Sequence, residues 1–237
     1  MIVIIDALNK HEHPDLVRGM HRLRARVFRD RLGWDVTVTD GEEHDLFDNL
    51  DPAYLVSVTP DGDVVGCMRI LQTTGPHMMA DVFAPLLDGE PPLRSARLWE
   101  ATRFCVDTAE LTDRRGPRSI SQVTGELMIG ACEYAMESGI TDAVAVIDPL
   151  MHRILKRSGN GPSGYLGSPR QMGKVVAMAV LLDCTEERVR NIRQCTGITG
   201  DVFRPEPVAI AQVAGRAGAP RPALTIADAG LPASHAA

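Results

Sequence analysis

The chain is 237 residues long, enough for one large domain or two small ones and for a substantial buried core. Its 25 Lys plus Arg against 31 Asp plus Glu give a formal net charge of −6, which excludes a general affinity for nucleic-acid phosphates. The composition, 44% hydrophobic and 24% charged, excludes wholesale disorder.

Ile2 to Ile5 reads as a buried first strand. Leu16, Met20, Leu23 and Val27 recur at spacings of four, three and four, which marks one face of a helix. Pro14 can open that helix and Gly33 follows its end. Asp35 to Asp51 is acidic and turn-rich. Tyr54 to Thr59 and Val64 to Leu71 flank Asp61-Gly62-Asp63 as a hairpin. Met78 to Leu87 is expected as a short helix and Pro91-Pro92 as a loop. Leu98 to Val106 is a strand in which Glu100 and Arg103 interrupt the apolar residues.

Ser119 to Glu137 is the longest expected helix, closed by Ser138-Gly139. Ala143 to Ile147 is a short apolar strand, and Pro149 can open the helix after it. Gly159 to Gly167 holds four glycines and a proline and reads as a loop. Lys174 to Asp183 is almost wholly apolar and fits a central strand. Thr185 is an N-cap, with Glu186 and Glu187 in the first turn where the helix dipole favours acids. Gly197 ends that helix. From Gly215 the composition shifts to Ala, Gly and Pro. Residues 1–214 are therefore expected as a single domain and 215–237 as a disordered tail. The alternation of strands and helices predicts an α/β protein, a three-layer α/β/α sandwich with a mixed central sheet.

Five cysteines lie far apart, with no C-x-x-C pair and no His/Cys cluster of zinc-site spacing, so reduced thiols and no metal are expected. The first residues lack the features of a signal peptide, and no apolar run approaches the roughly 20 residues of a membrane helix. A soluble, cytoplasmic protein without a membrane partner is the expectation.

Four features depart from a plain core-and-surface pattern. Arg24 and Phe28 share a helix face, with Trp34 just beyond; this is either core packing or a site for a cation or carboxylate ligand. Glu42, Glu43, Asp45, Asp48 and Asp51 crowd ten residues around Phe47, either as a solvated acidic loop or as a holder for a metal, sulfonium or ammonium. Their spacing is not that of an EF-hand. Arg69 lies inside an apolar strand, where a charge faces solvent or is paired. Glu100 and Arg103 sit beside Trp99 and Phe104. Residues three apart on a strand face opposite sides unless a bulge intervenes. No nucleophile elbow, P-loop or dinucleotide fingerprint is present.

These residues occur in segments that carry a resemblance: RLRARVFRDRLGW (22–34), EEHDLFDNLDPAYL (42–55), VVGCMRILQTT (64–74), MMADVFAPLL (78–87), LWEATRFCVD (98–107) and ILKRSG (154–159). The chain resembles the LuxI-type acyl-homoserine-lactone synthases, the autoinducer synthases of quorum sensing. The resemblance implies a fold similar to the GCN5-related N-acetyltransferases. It implies two substrates and no cofactor: S-adenosylmethionine, and an acyl thioester on acyl carrier protein or coenzyme A. The amine of S-adenosylmethionine would be acylated, and ring closure would release the lactone and methylthioadenosine.

Within that resemblance Arg24, Phe28, Trp34, Asp45, Asp48, Arg103 and Phe104 are the S-adenosylmethionine candidates. Glu100 is the candidate base, with Arg69 and Arg103 beside it. Met79, Phe83, Met128, Ala145 and Ile147 are candidates for the acyl-chain pocket. Arg153, Lys156 and Arg157, extended by Arg170 and Lys174, are the candidate carrier-docking patch. Two positions depart from common family members: Asn160 stands where Trp is frequent, and Ala145 where members that accept 3-oxo chains carry Thr. Two other readings are a GCN5-like N-acyltransferase acting on another amine and a non-catalytic S-adenosylmethionine sensor. The first lacks its coenzyme A pyrophosphate loop in this sequence.

Overall fold

A computed structural model describes residues 1–113 and 119–203. The main strands are β1 (Ile2–Ile5), β4 (Ala53–Val58), β5 (Val64–Gln72), β6 (Leu98–Val106), β7 (Asp142–Ile147), β8 (Gly164–Met172) and β9 (Val175–Asp183). A small hairpin adds β2 (Val38–Thr39) and β3 (Glu42–Glu43). The helices are α1 (Pro14–Arg24), α2 (Met78–Asp81), α3 (Thr108–Asp113), α4 (Ile120–Glu137), α5 (Pro149–Arg157) and α6 (Glu186–Thr196). The seven main strands form one sheet in the order β1-β4-β5-β6-β7-β9-β8. Every pairing is antiparallel except β6 with β7. The architecture is the expected three-layer sandwich with a mixed sheet.

The two faces of the sheet bury different sets of residues. On one face Leu55, Met68 and Ala145 pack with Val123, Leu127 and Met128 of α4, Leu155 of α5 and Ile192 of α6. On the other, Tyr54, Val56, Cys67 and Cys105 pack with Met20, Leu23 and Phe28. The apolar stripe anticipated for the first helix is the one that docks here. Its helix does not stop at Arg24 but continues as a π-helical turn over Ala25–Arg31. Such widened turns cluster at functional sites.

The parallel β6–β7 ladder is short. It pairs Leu98 with Asp142 through Ala101 with Ala145, and then stops while β6 runs on to Val106 and β7 to Ile147. Between the two strands the sheet is therefore open on the C-terminal side of Ala101.

Three expectations need correction. Met78 to Leu87 is not one helix: α2 ends at Asp81 and a separate 3-10 turn spans Ala84–Leu87. Pro85 lacks the N–H that a continuous helix would use. Gly159 to Gly167 is not wholly loop, because β8 begins at Gly164 and forms the sheet edge. There Gly167 has φ +53° and lies so close to the Leu86 carbonyl that a Cβ would sit 1.9 Å from its oxygen. The apolar run of β9 is flanked on both sides, but the middle strand of the seven is β6. The expected domain limit at 214 and the tail lie outside the described residues.

Candidate active site

Three arginines and three carboxylates meet on the α1 face of the sheet. Arg24, in the last turn of α1, is wholly buried. Its Nη1 and Nη2 donate to the two Asp48 oxygens at 2.8 Å each, and its Nε donates to Glu43. Arg69, wholly buried on β5, donates from Nη1 to Asp45 and Asp48, from Nη2 to Asp45 at 2.9 Å and from Nε to the Thr102 hydroxyl at 3.0 Å. Arg103 reaches Glu43 at 3.0 Å and Asp45 at 2.7 Å. The three pairs cancel in charge, as buried ions must. Asp45 and Arg103, at 17% and 10% side-chain exposure, are the least buried members.

Local structure explains how these groups are held. Asp45 caps the 3-10 turn Leu46–Asn49, accepting from the Phe47 and Asp48 amides, while Asp48 accepts from the Asp45 amide. This is a reciprocal capping box built from two of the cluster's carboxylates. Arg103 has φ +54°, and the β5–β6 register slips between Cys67 and Arg69. This bulge turns both Thr102 and Arg103 to the α1 face. Arg103 also stacks over the Phe28 ring, 5.5 Å from its centroid, and Phe28 stacks on Trp34 at 5.0 Å.

Glu100 is buried beside this network. Both of its oxygens accept N–H donors from the start of α2, Met78 at 2.8 Å and Met79. The Met78 sulfur touches Arg69 and Arg103, so one residue links Glu100 to the arginines. Burial raises the Glu100 pKa above the usual carboxylate value against the opposing pull of the two amides. Burial also disfavours charge on Asp48, but Arg24 and Arg69 outweigh it and hold its pKa well below the carboxylate range. His21, buried against Arg24, is lowered to about 4 and stays neutral at physiological pH.

His21, His44 and Asp48 bring possible ligand atoms within 4.8 Å of one another. Both Asp48 oxygens are already taken by Arg24, whose charge repels a cation, so the chemistry of this trio does not suit a metal.

The six charged candidates Arg24, Asp45, Asp48, Arg69, Glu100 and Arg103 thus converge. Phe104 does not join them: its side chain packs with the α4-face core, on the other side of the sheet from Phe28. The acyl-pocket candidates also divide. Met128, Ala145 and Ile147 lie on the α4 face, whereas Met79 and Phe83 pack on the α1 face with Leu86 and Val144. The two groups lie on opposite faces of the sheet. A cavity of about 50 Å³ does lie on the α4 face, lined by Met68, Ile70, Trp99, Ala101 and Met128 among others. It adjoins, across Ile70 and Trp99, an open groove of about 640 Å³.

Arg153, Lys156 and Arg157 are exposed on α5, as a docking patch requires. Arg170 and Lys174 do not extend it as free cations: Arg170 pairs with Asp88 and Lys174 donates to the Gly33 carbonyl. Sequence reasoning passed over three participants: Thr102, Tyr54, whose hydroxyl donates to Asp48 at 2.8 Å, and His21, which bonds the Glu43 carbonyl at 2.8 Å. Glu43 stood in the acidic run, but nothing in that run separates it from exposed neighbours.

A sheet that parts between two parallel strands, beside a buried carboxylate and a charge-balanced ionic cluster, is the frame of an acyl-transfer enzyme. Comparison with known proteins gives the family. The family model described as autoinducer synthase matches residues 7–192. A probable acyl-homoserine-lactone synthase of Sinorhizobium fredii is 40% identical over 192 residues, covering 81% of this chain and 91% of that protein. An acyl-homoserine-lactone synthase of Agrobacterium fabrum is 42% identical over 167 residues, covering 70% and 78%. Among solved structures, the AHL synthase LasI superposes with TM-score 0.72 at 30% identity, covering 82% of this chain and 94% of LasI. BjaI, a CoA-dependent acyl-homoserine lactone synthase solved with SAM and isopentyl-CoA, superposes with TM-score 0.74 at 26% identity, covering 90% and 99%. The chain belongs to the autoinducer synthase family: it is an acyltransferase, an acyl-homoserine-lactone synthase.

Proposed function

We propose that the ionic cluster binds S-adenosylmethionine and that the β6–β7 opening admits the acyl thioester. The convergence of Arg24, Asp45, Asp48, Arg69 and Arg103 in one network carries this reading. A substrate with a carboxylate, an ammonium and a sulfonium can replace internal partners one for one. Its carboxylate takes Arg103, which is the least buried of the three arginines and offers a fork of donors. Its ammonium takes Asp45. The stacked Phe28 and Trp34 rings suit the sulfonium and the adenine.

Glu100 accepts the proton that the amine loses as it attacks the thioester carbonyl, directly or through one water. The bulge beside Arg103 takes backbone groups out of the β5–β6 ladder, and the Arg103 and Phe104 N–H groups there are the donors we assign to the developing oxyanion. Phe104 thus contributes through its backbone rather than its ring. Expulsion of the thiol leaves the amide. The methionyl carboxylate then attacks the carbon next to the sulfonium, closing the lactone and releasing methylthioadenosine, a step that depends on substrate folding.

The acyl chain lies along the α4-face cavity, whose adaptable Met68 and Met128 can part to admit it. The thioester carrier is anionic, acyl carrier protein or coenzyme A, and the cations of α5 attract either. The reaction calls on no further cofactor. Among the described residues no helix is long and apolar enough to cross a membrane. The cytoplasm, which supplies both substrates, is the compartment assigned, and neither a membrane nor a nucleic acid is a partner in this reading.

The test is release of methylthioadenosine from S-adenosylmethionine on adding an acyl thioester. Release that depends on both substrates supports the reading. Turnover with a different amine and none with S-adenosylmethionine would overturn it.

A further inference from the structure

The acyl-side cavity has one polar group that the chemistry above does not use. Asn160, 5% exposed, follows α5 and lines the cavity together with Cys132, Leu182 and Cys184. This is the end remote from the strand opening. The β6–β7 ladder opens past Ala101 and Ala145, whereas Leu182 pairs with Ala143, and Cys184 follows Asp183, the partner of Asp142.

The orientation of the Asn160 amide is fixed by its neighbours. Arg188, itself 7% exposed, donates from Nη1 to Asn160 Oδ1 at 2.8 Å. A guanidinium has no acceptor, so the atom facing it must be the amide oxygen. Arg188 is in turn held by Asp183 and by the Gly161 carbonyl at 2.8 Å. The Asn160 backbone N–H donates to the Leu155 carbonyl at 2.9 Å. Nothing in this arrangement can rotate freely. The Nδ2 group makes no hydrogen bond among the described residues and is not sealed off, so a group entering the cavity that Asn160 lines can reach it.

Resting on the acyl-chain placement above, we propose that Asn160 is a specificity-determining residue whose Nδ2 donates to a neutral oxygen acceptor on the acyl chain, a ketone or hydroxyl oxygen well beyond C3. A cavity otherwise apolar discriminates weakly among chains, whereas one with a committed hydrogen-bond donor discriminates against chains that leave the donor unpaired. The preferred acyl group is therefore a chain oxygenated along its distal half.

The experiment uses the full chain and coenzyme A thioesters of one chain length, in which a single ketone moves from C3 towards the penultimate carbon. Binding is followed by titration calorimetry and turnover by methylthioadenosine release. One position beyond C3 is expected to exceed the unsubstituted chain roughly fivefold to tenfold, the scale of one neutral hydrogen bond. Asn160→Asp keeps an acceptor for Arg188 but removes the donor, and should bring the ratio of keto to plain chain at that position to one or below. A flat scan in the wild type, or a peak at C3 alone, overturns the assignment. So does an Asn160→Asp variant that keeps the distal peak. A stronger response to a terminal carboxylate than to the ketone would move the contact to Arg188 and also overturn it. Calorimetry judges Asn160 even if no methylthioadenosine is released, whereas absent release counts against the enzymatic reading alone.

Discussion

Glu100 and Arg103 lie three residues apart on one strand and yet share a face of the sheet. The left-handed backbone at Arg103, φ +54°, resets the alternation, so Thr102 and Arg103 project together toward Glu43, Asp45 and Arg69. Without that bulge the arginine would enter the α4-face core, and Glu100 and Arg103 would be on opposite sides of the sheet.

Arg103 should therefore respond in two separable ways to substitution. Arg103→Ala and Arg103→Gly both remove the guanidinium, and both should lose most turnover. Only glycine relieves the left-handed backbone, which costs an L-residue roughly 1–2 kcal/mol. Arg103→Gly is expected to be the more stable of the two by about 1 kcal/mol in denaturant unfolding. Equal stabilities would mean that the bulge conformation carries no strain.

Glu100→Gln should keep S-adenosylmethionine binding and lose at least about a hundredfold in acyl transfer, the usual scale of general-base catalysis. A base works only when deprotonated, so wild-type activity falls as pH drops through the Glu100 pKa. Burial raises that pKa, which moves the acid limb to higher pH than an exposed glutamate would show. Rates of methylthioadenosine release against pH, for wild type and variant, check this. Wild-type turnover by the variant would take Glu100 out of the reaction.

The strands and long helices were legible because their apolar residues keep a period. The Leu16–Met20–Leu23–Val27 stripe docks α1, and the apolar runs of β4, β5 and β9 are interior strands. β8 was illegible for the converse reason: Gly164 to Met172 is an edge strand largely exposed on both faces, so no alternation marks it. The charged site was readable as a set of residue types but not as a geometry. No glycine announces the bulge at Arg103, and buried Glu43 differs from half-buried Glu42 only through a two-residue strand. The division of the acyl-side residues between two faces was not legible, because sequence does not say which face of the sheet Met79 and Phe83 reach from outside the strands.

Acid should weaken the fold in two windows. His21 titrates at about 4 in the folded chain against 6.5 when unfolded. The unfolded chain therefore binds the extra proton first, and stability present above pH 6.5 is lost as pH falls toward 4. At about 1.4 kcal/mol per pKa unit, the loss is on the order of 3 kcal/mol. The depressed Asp48 carboxyl adds its own loss only below the ordinary carboxylate range. Unfolding free energies measured from neutral pH to mild acid should show the first window, and His21→Gln should flatten it. A variant with the same slope as wild type would assign the loss elsewhere.

Ala145 lies on the α4 face, paired with the cavity-lining Ala101 at the last rung of the β6–β7 ladder. It offers no hydroxyl to a 3-oxo group. Plain chains should therefore be used at least as well as 3-oxo chains of equal length, and Ala145→Thr should shift relative kcat/KM toward the 3-oxo substrate. A competition between the matched thioesters decides. A clear wild-type preference for the 3-oxo chain would show that another donor is present.

The Asp45 carboxylate serves two masters: it accepts from the Phe47 and Asp48 amides that begin the 3-10 turn, and it takes Arg69 and Arg103. Any substrate ammonium that draws on this carboxylate must share it with the turn's first amides. Occupancy of the site is then written into the solvent exchange of those two N–H groups. The protein thus holds an isotopic record of its first substrate in its own backbone.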